Sequence, residues 1–168
     1  MKKLLSILGA ISLVGTSTTS LVACNKPQYS EKELVDLKEK NNIITKDGIL
    51  EWIAPQEKPF NNEDKKWYYI VWKGKNEDNW KIIKFKYDNY KKNKVLDKYS
   101  NYELQLFQTG RLGQGYWKDI CLVDNDGMSR YFAWSLHYGY FKAVYRWNLL
   151  DKPEPSLDID QDGNVKVK

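Results

Sequence analysis

Hydrophobic and polar residues alternate along most of the chain beyond Asp47-Gly48. A period of two is typical of β-strands that bury one face, because successive side chains point to opposite sides of a sheet. Ile83, Phe85 and Tyr87, for example, alternate with lysines. Segments rich in Gly, Asn and Asp separate the alternating runs and are typical of turns. The pattern predicts seven strands, at residues 49–53, 67–73, 80–87, 102–108, 116–123, 130–137 and 140–147.

Short strands joined by short turns predict a mainly β, or β-rich α+β, fold. We expect an antiparallel meander of about seven strands with one face buried and the other in solvent. A sandwich, an open barrel and a curled sheet are all compatible with this pattern. These three architectures stay open from the sequence alone.

One short helix is predicted before the strands. Ser30 is followed three residues later by Glu33, the spacing of a capping box, in which each side chain bonds to the other residue's backbone N–H. The helix runs to about Glu39 and has a modest apolar stripe. The rest of the helix is rich in Lys and Glu, which predicts a solvated segment. This segment either lies against the domain or acts as a spacer on its N-terminal side.

The composition changes again after Trp147. Pro153 and Pro155 lie too close together for a central strand, since proline cannot donate to the ladder. The residues beyond them predict a small hairpin with its turn at Asp162-Gly163. We therefore divide the chain into a tether and helix at 24–46, a β-rich globular domain at 47–150 and a Pro- and Asp-rich tail at 151–168.

The segment that precedes Cys24 has the three regions of an export signal. Two lysines follow Met1, residues 4–15 are apolar and residues 16–20 are small and polar. At ~1.5 Å per residue, a helix formed by the apolar run is too short for the ~30 Å core of a bilayer. The sequence Leu21-Val22-Ala23-Cys24 follows, and it resembles the lipobox of bacterial lipoproteins.

Residues 1–26, MKKLLSILGAISLVGTSTTSLVACNK, are similar to the leader of spiroplasma-type lipoproteins of wall-less bacteria, the group that includes spiralin. The resemblance implies cleavage between Ala23 and Cys24, transfer of diacylglycerol to the Cys24 thiol, and retention on the extracellular face of the cell membrane. The alternative is an ordinary cysteine after a cleaved secretory signal. The rest of the chain resembles no family that we recognise.

Composition predicts one packed domain after cleavage. The chain of 168 residues contains 12 Tyr, 7 Trp and 5 Phe, all at or after Tyr29. A mean hydropathy of −0.68 excludes a protein with many membrane spans. With Cys24 lipidated, Cys121 is alone, so an intramolecular disulfide is excluded and a small buried core residue is expected. Removing Lys2 and Lys3 lowers the formal net charge from +5 to +3, a mildly basic balance with no dense basic block. Because the leader directs export, no nucleic-acid partner is expected.

Candidate chemistry is sparse in the sequence. Asp158, Asp160 and Asp162 match half of a calcium loop, but residue twelve of that loop would fall beyond Lys168, so a solvated turn is favoured. Residues 110–115 form a Gly-rich run that precedes a strand, which predicts a hairpin loop rather than a phosphate cradle. We expect no metal site and no cofactor.

A small surface hydrolase is the enzymatic alternative. Ser135 and the sole histidine, His137, lie two positions apart on a predicted strand. This spacing leaves about 7 Å between side chains, which is too far for direct proton transfer. Paired carboxylates of the glycosidase type are not singled out by spacing. The candidates on or beside strands are Glu51, Glu77, Glu103 and Asp119. We therefore expect a protein that is not an enzyme.

Aromatic residues supply the remaining binding hypothesis. Trp67, Tyr68, Tyr69 and Trp72 occupy both faces of one strand, so some of Tyr68, Trp72 and Trp80 are predicted to be exposed. Exposed flat rings bind sugars or apolar patches of proteins. The sequence thus predicts a surface lipoprotein that binds a host glycan or protein, with core filling as the alternative role of the rings. A structural membrane coat is a third possibility.

Overall fold

The computed structural model describes residues 28–75, 78–88, 93–111, 115–124, 130–136 and 139–168. Ala23, Cys24, Glu77 and His137 lie outside the described residues. The elements in chain order are α1 (Glu31–Asn41), β1 (Ile43–Ile44), β2 (Ile49–Trp52), β3 (Trp67–Trp72), β4 (Lys81–Lys86), β5 (Lys94–Tyr99), β6 (Tyr102–Arg111), β7 (Gly115–Asp124), β8 (Arg130–Ala133), β9 (Phe141–Trp147), β10 (Leu157–Ile159) and β11 (Val165–Val167).

All strand pairs are antiparallel, so the mainly β prediction is confirmed. One sheet of five strands has the order β1-β2-β9-β3-β4, and one of four strands has the order β5-β6-β7-β8. The second sheet is a meander, whereas in the first sheet β9 lies between β2 and β3. Neither sheet closes into a barrel within the described part of the chain.

The two sheets share one hydrophobic core. It contains Tyr68 and Ile70 from β3, Leu104 from β6 and Leu122 from β7. Tyr68 and Ile70 are two positions apart, as expected for a strand that points alternate side chains inward. Burial of this shared core stabilises the arrangement of the two sheets by the hydrophobic effect.

A second core lies on the opposite face of the five-stranded sheet. Tyr69, Tyr145 and Trp147 pack there with Leu157 of β10 and Val165 of β11. The expectation of a sheet with one solvated face is therefore wrong for this sheet, since the C-terminal hairpin covers that face. The predicted hairpin is confirmed, with Gly163 at a φ of +79° in its turn.

Helix α1 begins as predicted. Ser30 accepts a hydrogen bond from Glu33 N at 3.3 Å, and Glu33 accepts one from Ser30 N at 2.8 Å, which completes the capping box. The helix buries no residue fully and is followed by the C-cap residue Asn42, whose side-chain oxygen accepts from Trp52 N at 2.8 Å. No helix among the described residues is long and apolar enough to cross a membrane.

Three segments differ from the predicted strands, and one of them is β1, for which no strand was predicted. Trp134–Leu136 is a 3₁₀ helix rather than the end of a strand, and there Ser135 N donates to the side-chain carboxylate of Asp119 on β7 at 3.1 Å. Strand β5 was not predicted. Val95 and Leu96 are adjacent there and flanked by charged residues, so the segment does not alternate.

Candidate functional site

The exposure predicted for Tyr68 and Trp72 is wrong, because both side chains are fully buried. Strand β3 lies between β9 and β4 in its sheet, and the two cores cover its two faces. Tyr68 donates a hydrogen bond to Asp64 Oδ2 at 2.8 Å, and burial together with this bond raises the pKa of its hydroxyl. Both rings are core residues and offer no face to a ligand from solvent.

Trp80 alone of the three predicted aromatics is partly exposed. Its ring lies under the C-terminal turn, where a Cβ added to Gly163 would stand 2.6 Å from Trp80 Cγ. Lys73 Nζ lies 4.8 Å from the ring centroid, and Lys142 Nζ lies 5.9 Å from it. Lys142 also donates to the Asp162 carbonyl oxygen at 2.7 Å. Trp80 therefore connects the hairpin to the sheet.

Gly163→Ala is expected to loosen this hairpin. The positive φ of Gly163 is strained for alanine, and the new Cβ would collide with Trp80. We expect a loss of about 1–3 kcal/mol in the free energy of unfolding. Urea unfolding measures the loss in the free energy of unfolding, and the rate of proteolysis within residues 151–168 measures how far the hairpin is loosened.

Gly139→Ala is the matched control for this prediction. Gly139 has a similar φ of +73°, but an added Cβ would meet nothing within 4 Å. The difference between the two variants isolates the contact with Trp80. Equal losses in both variants would contradict the proposed role of Trp80.

A crevice of about 170 Å³ lies between β4 and the segment before β10. Its walls combine apolar side chains with two hydroxyl-bearing residues and one lysine, from Tyr69, Ile82, Ile83, Lys84, Pro155, Ser156 and Leu157. Small-molecule pockets usually measure ~300–1,000 Å³, so the crevice accommodates one ring or side chain rather than a whole ligand. Tyr69 Oη donates to the Pro155 carbonyl oxygen at 2.7 Å and holds one wall.

A charged cluster lies where α1 meets the five-stranded sheet. Glu51 accepts hydrogen bonds from Lys38 Nζ at 2.6 Å, Arg146 Nη2 at 2.8 Å and Asn148 Nδ2 at 2.8 Å. Burial alone would raise the pKa of Glu51, but these three donors outweigh it and lower the pKa to about 2. Lys38 also pairs with Glu57 at 2.8 Å. The cluster attaches α1 to β2 and β9.

The residues of the hydrolase alternative are only partly brought together. Asp119 accepts from Ser135 N, but its side chain is 3% exposed. Burial raises the pKa of Asp119 to about 6, against hydrogen bonds from Ser135 and Ile120 that lower it. Glu51 lies in the charged cluster, and Glu103 pairs with Lys98 at 2.6 Å. Asp119 is a structural carboxylate that shapes the turn after β8.

Cys121 is buried and free, as the sequence predicted. Burial raises the pKa of its thiol, and the neighbouring Asp119 carboxylate adds to the increase. A thiolate is the reactive form of cysteine, so this environment disfavours nucleophilic chemistry.

The two remaining motifs have structural roles in the described residues. Asp160 accepts from Asp162 N at 3.0 Å and Asn164 N at 2.9 Å, so its carboxylate closes the C-terminal turn. No group of three or more His, Cys, Asp or Glu side chains that could hold a metal ion occurs among the residues the structure describes. The Gly-rich run connects β6 to β7, which confirms a hairpin there, while residues 112–114 lie outside the described part.

Comparison with known proteins adds no family or fold relative. No family model matches the chain, and neither a curated protein nor a solved structure matches it.

Proposed function

We propose that this chain is a surface lipoprotein of a wall-less bacterium, anchored through diacylglyceryl-Cys24 on the extracellular face of the cell membrane. The observation that carries the proposal is the sequence Leu21-Val22-Ala23-Cys24, which follows the apolar run at residues 4–15 and its small polar extension. The thiol of Cys24 is the nucleophile that a thioether to diacylglycerol requires. Two acyl chains, at ~0.8 kcal/mol per buried methylene, anchor a protein stably where one chain is marginal.

The proposed role of the domain is binding rather than catalysis. Asp119, which accepts a hydrogen bond from Ser135 N, and Cys121 are both buried. The surface offers a partly exposed Trp80 and a crevice that fits one ring or side chain. These features favour recognition of a glycan or of a protein outside the cell.

The intact mass of protein purified from membranes tests the anchor. We expect the wild-type mass to equal residues 24–168 plus a diacylglyceryl group, because the lipobox directs both cleavage and acylation. Cys24→Ser removes the acceptor thiol and is expected to leave the chain unprocessed and unlipidated. Ala23, the residue before the cleavage site, is unchanged in this variant.

Cys121→Ser is the matched control, since it removes the other cysteine and leaves the lipobox unchanged. Its mass is expected to show the same lipid as the wild type. A mature wild-type mass without lipid would make the chain a secreted protein and would overturn the anchor. A lipidated product directs the search for ligands to glycans and proteins of the host surface.

A further inference from the structure

Exposed large apolar side chains concentrate at the start of the described chain. Eight such side chains are exposed among the described residues, and four of them lie between residues 29 and 49. They are Tyr29, Val35, Ile44 and Ile49, and Ile44 is the most exposed at 83%. We call the surface formed by α1 and the β1–β2 hairpin the N-terminal face.

Ile44 and Ile49 lie on the side of the sheet that α1 covers. The two residues are paired across β1 and β2, while their neighbours Ile43 and Leu50 pack into the second core on the opposite side. Glu51 shares the side of Ile49, because it is two residues further along β2. Lys38 of α1 reaches Glu51 there at 2.6 Å. The isoleucine pair therefore adjoins the helix.

The charge of the N-terminal face is close to balanced. Residues 28–50 contain four lysines and five aspartates or glutamates, a formal charge of −1. Such a surface has no net attraction to anionic lipids or nucleic acid. Any association through it depends on the apolar side chains.

The same face is the part of the domain nearest to Cys24 along the chain. Tyr29 follows Cys24 by only five positions. An extended chain spans at most ~3.3–3.6 Å per residue, so the link between the two residues is short. Tyr29 is itself held to the domain, since its N donates to Gln56 Oε1 at 2.7 Å and its carbonyl accepts from Gln56 Nε2 at 2.9 Å. The link between Cys24 and Tyr29 therefore spans at most about 18 Å.

We propose that the N-terminal face lies on the lipid surface that holds the acylated Cys24, with Ile44 and Ile49 in the interfacial layer. This inference rests on the proposed function, because the diacylglyceryl anchor must be present. Two acyl chains keep Tyr29 within about 18 Å of lipid, so the effective concentration of the face at the membrane is high and modest apolar contacts suffice. Tyr29 suits the interface, where aromatic rings with a polar tip are enriched.

Nitroxide accessibility in phosphatidylcholine vesicles tests this orientation. The full lipidated protein carries the label at Ile44→Cys or, as a matched control, at Val167→Cys. Val167 is also exposed and apolar, at 41%, but lies on the hairpin that covers the opposite side of the sheet. Cys24 is acylated and Cys121 is buried, so the label enters the new cysteine.

We expect the Ile44 label to collide several-fold less with a water-soluble nickel complex, and several-fold more with oxygen, than the Val167 label. Salt is expected to leave this difference unchanged, because the face has nearly no net charge. Ile49→Cys, at the cross-strand partner of Ile44, reports on the same face if circular dichroism shows that Ile44→Cys is misfolded.

Three outcomes would overturn the orientation. Equal water accessibility at Ile44 and Val167 in protein whose mass includes the lipid overturns this inference alone. Protection of Ile44 that disappears on dilution of the protein in lipid assigns the face to a second copy of the chain. A mass without lipid overturns the proposed function, and the orientation with it.

Discussion

Phe60→Ala is expected to lower the free energy of unfolding by about 3–5 kcal/mol, the usual cost of removing a buried aromatic ring. Phe60 lies in a 3₁₀ turn between β2 and β3 and is 1% exposed. Its ring centroid is 4.9 Å from that of Tyr68 and 5.7 Å from that of Tyr87. The ring thus inserts into the shared core from outside the strands.

The cost is large because the surroundings of Phe60 cannot collapse easily. The neighbouring rings include Trp134, 6.0 Å away and on a different turn, and Tyr87 donates a 2.6 Å hydrogen bond to the Phe60 carbonyl oxygen. These contacts hold the backbone in place, so truncation leaves a cavity. Since domains are stable by ~5–15 kcal/mol, the variant is expected to retain only a fraction of its stability.

Urea unfolding followed by tryptophan fluorescence measures this loss. Phe60→Leu keeps most of the buried volume and is expected to lose about 1 kcal/mol. A loss below about 1 kcal/mol in Phe60→Ala would mean that the ring does not fill the core as the structure has it.

Glu51→Gln is expected to lower the free energy of unfolding at pH 7 by about 2–3 kcal/mol. The neutral amide keeps the shape of Glu51 but removes the carboxylate that Lys38 and Arg146, both partly buried, share. Among the described residues, Lys38 then keeps only Glu57 as a carboxylate partner, and Arg146 keeps only Asp64, 3.9 Å away. Glutamine also cannot accept at both oxygen positions. The loss exceeds that of an exposed ion pair because water screens this cluster only in part.

The same variant is expected to change the acid dependence of stability. The pKa of Glu51 is about 2 in the folded chain and 4.5 as its ordinary value, so the folded state disfavours protonation. The contribution of the ionised Glu51 carboxylate to the free energy of unfolding is present above about pH 4.5 and is lost as the pH falls toward 2. Wild type and Glu51→Gln should therefore converge in stability across that interval.

Glu103→Gln is the control, because Glu103 pairs with an exposed lysine, Lys98, on the four-stranded sheet. Exposed pairs contribute about 0–1 kcal/mol, so a small change is expected. Urea unfolding from pH 7 down to pH 3 compares the three proteins. A constant difference between wild type and Glu51→Gln over that range would contradict the role assigned to the carboxylate.

Local features of the fold could be predicted because they depend on nearby residues. The capping box needs only Ser30 and Glu33, and the C-terminal turn needs Asp162 and Gly163. The alternation of Tyr102, Leu104 and Leu106 with polar residues likewise placed β6 correctly.

The candidate site was predicted less well, for a physical reason. Period two shows which residues share a face, but it does not show whether a second layer covers that face. Trp67–Trp72 lies between two neighbours, β4 and β9, and has a core on both sides, so Tyr68 and Trp72 are buried. An unbroken run of six hydrophobic and aromatic residues, WYYIVW, is itself a signal of a strand covered on both faces.

The sequence by itself determined the β-rich class, the start of α1, most strand positions and the C-terminal hairpin, since each follows from residues a few positions apart. Only the tertiary structure decided that β9 enters between β2 and β3, where Trp67 meets Trp147 in register. It also decided that Phe60 fills the shared core and that Trp80 packs on Gly163. Burial at those positions depends on residues tens of positions apart, whose meeting is set by the packing of whole sheets.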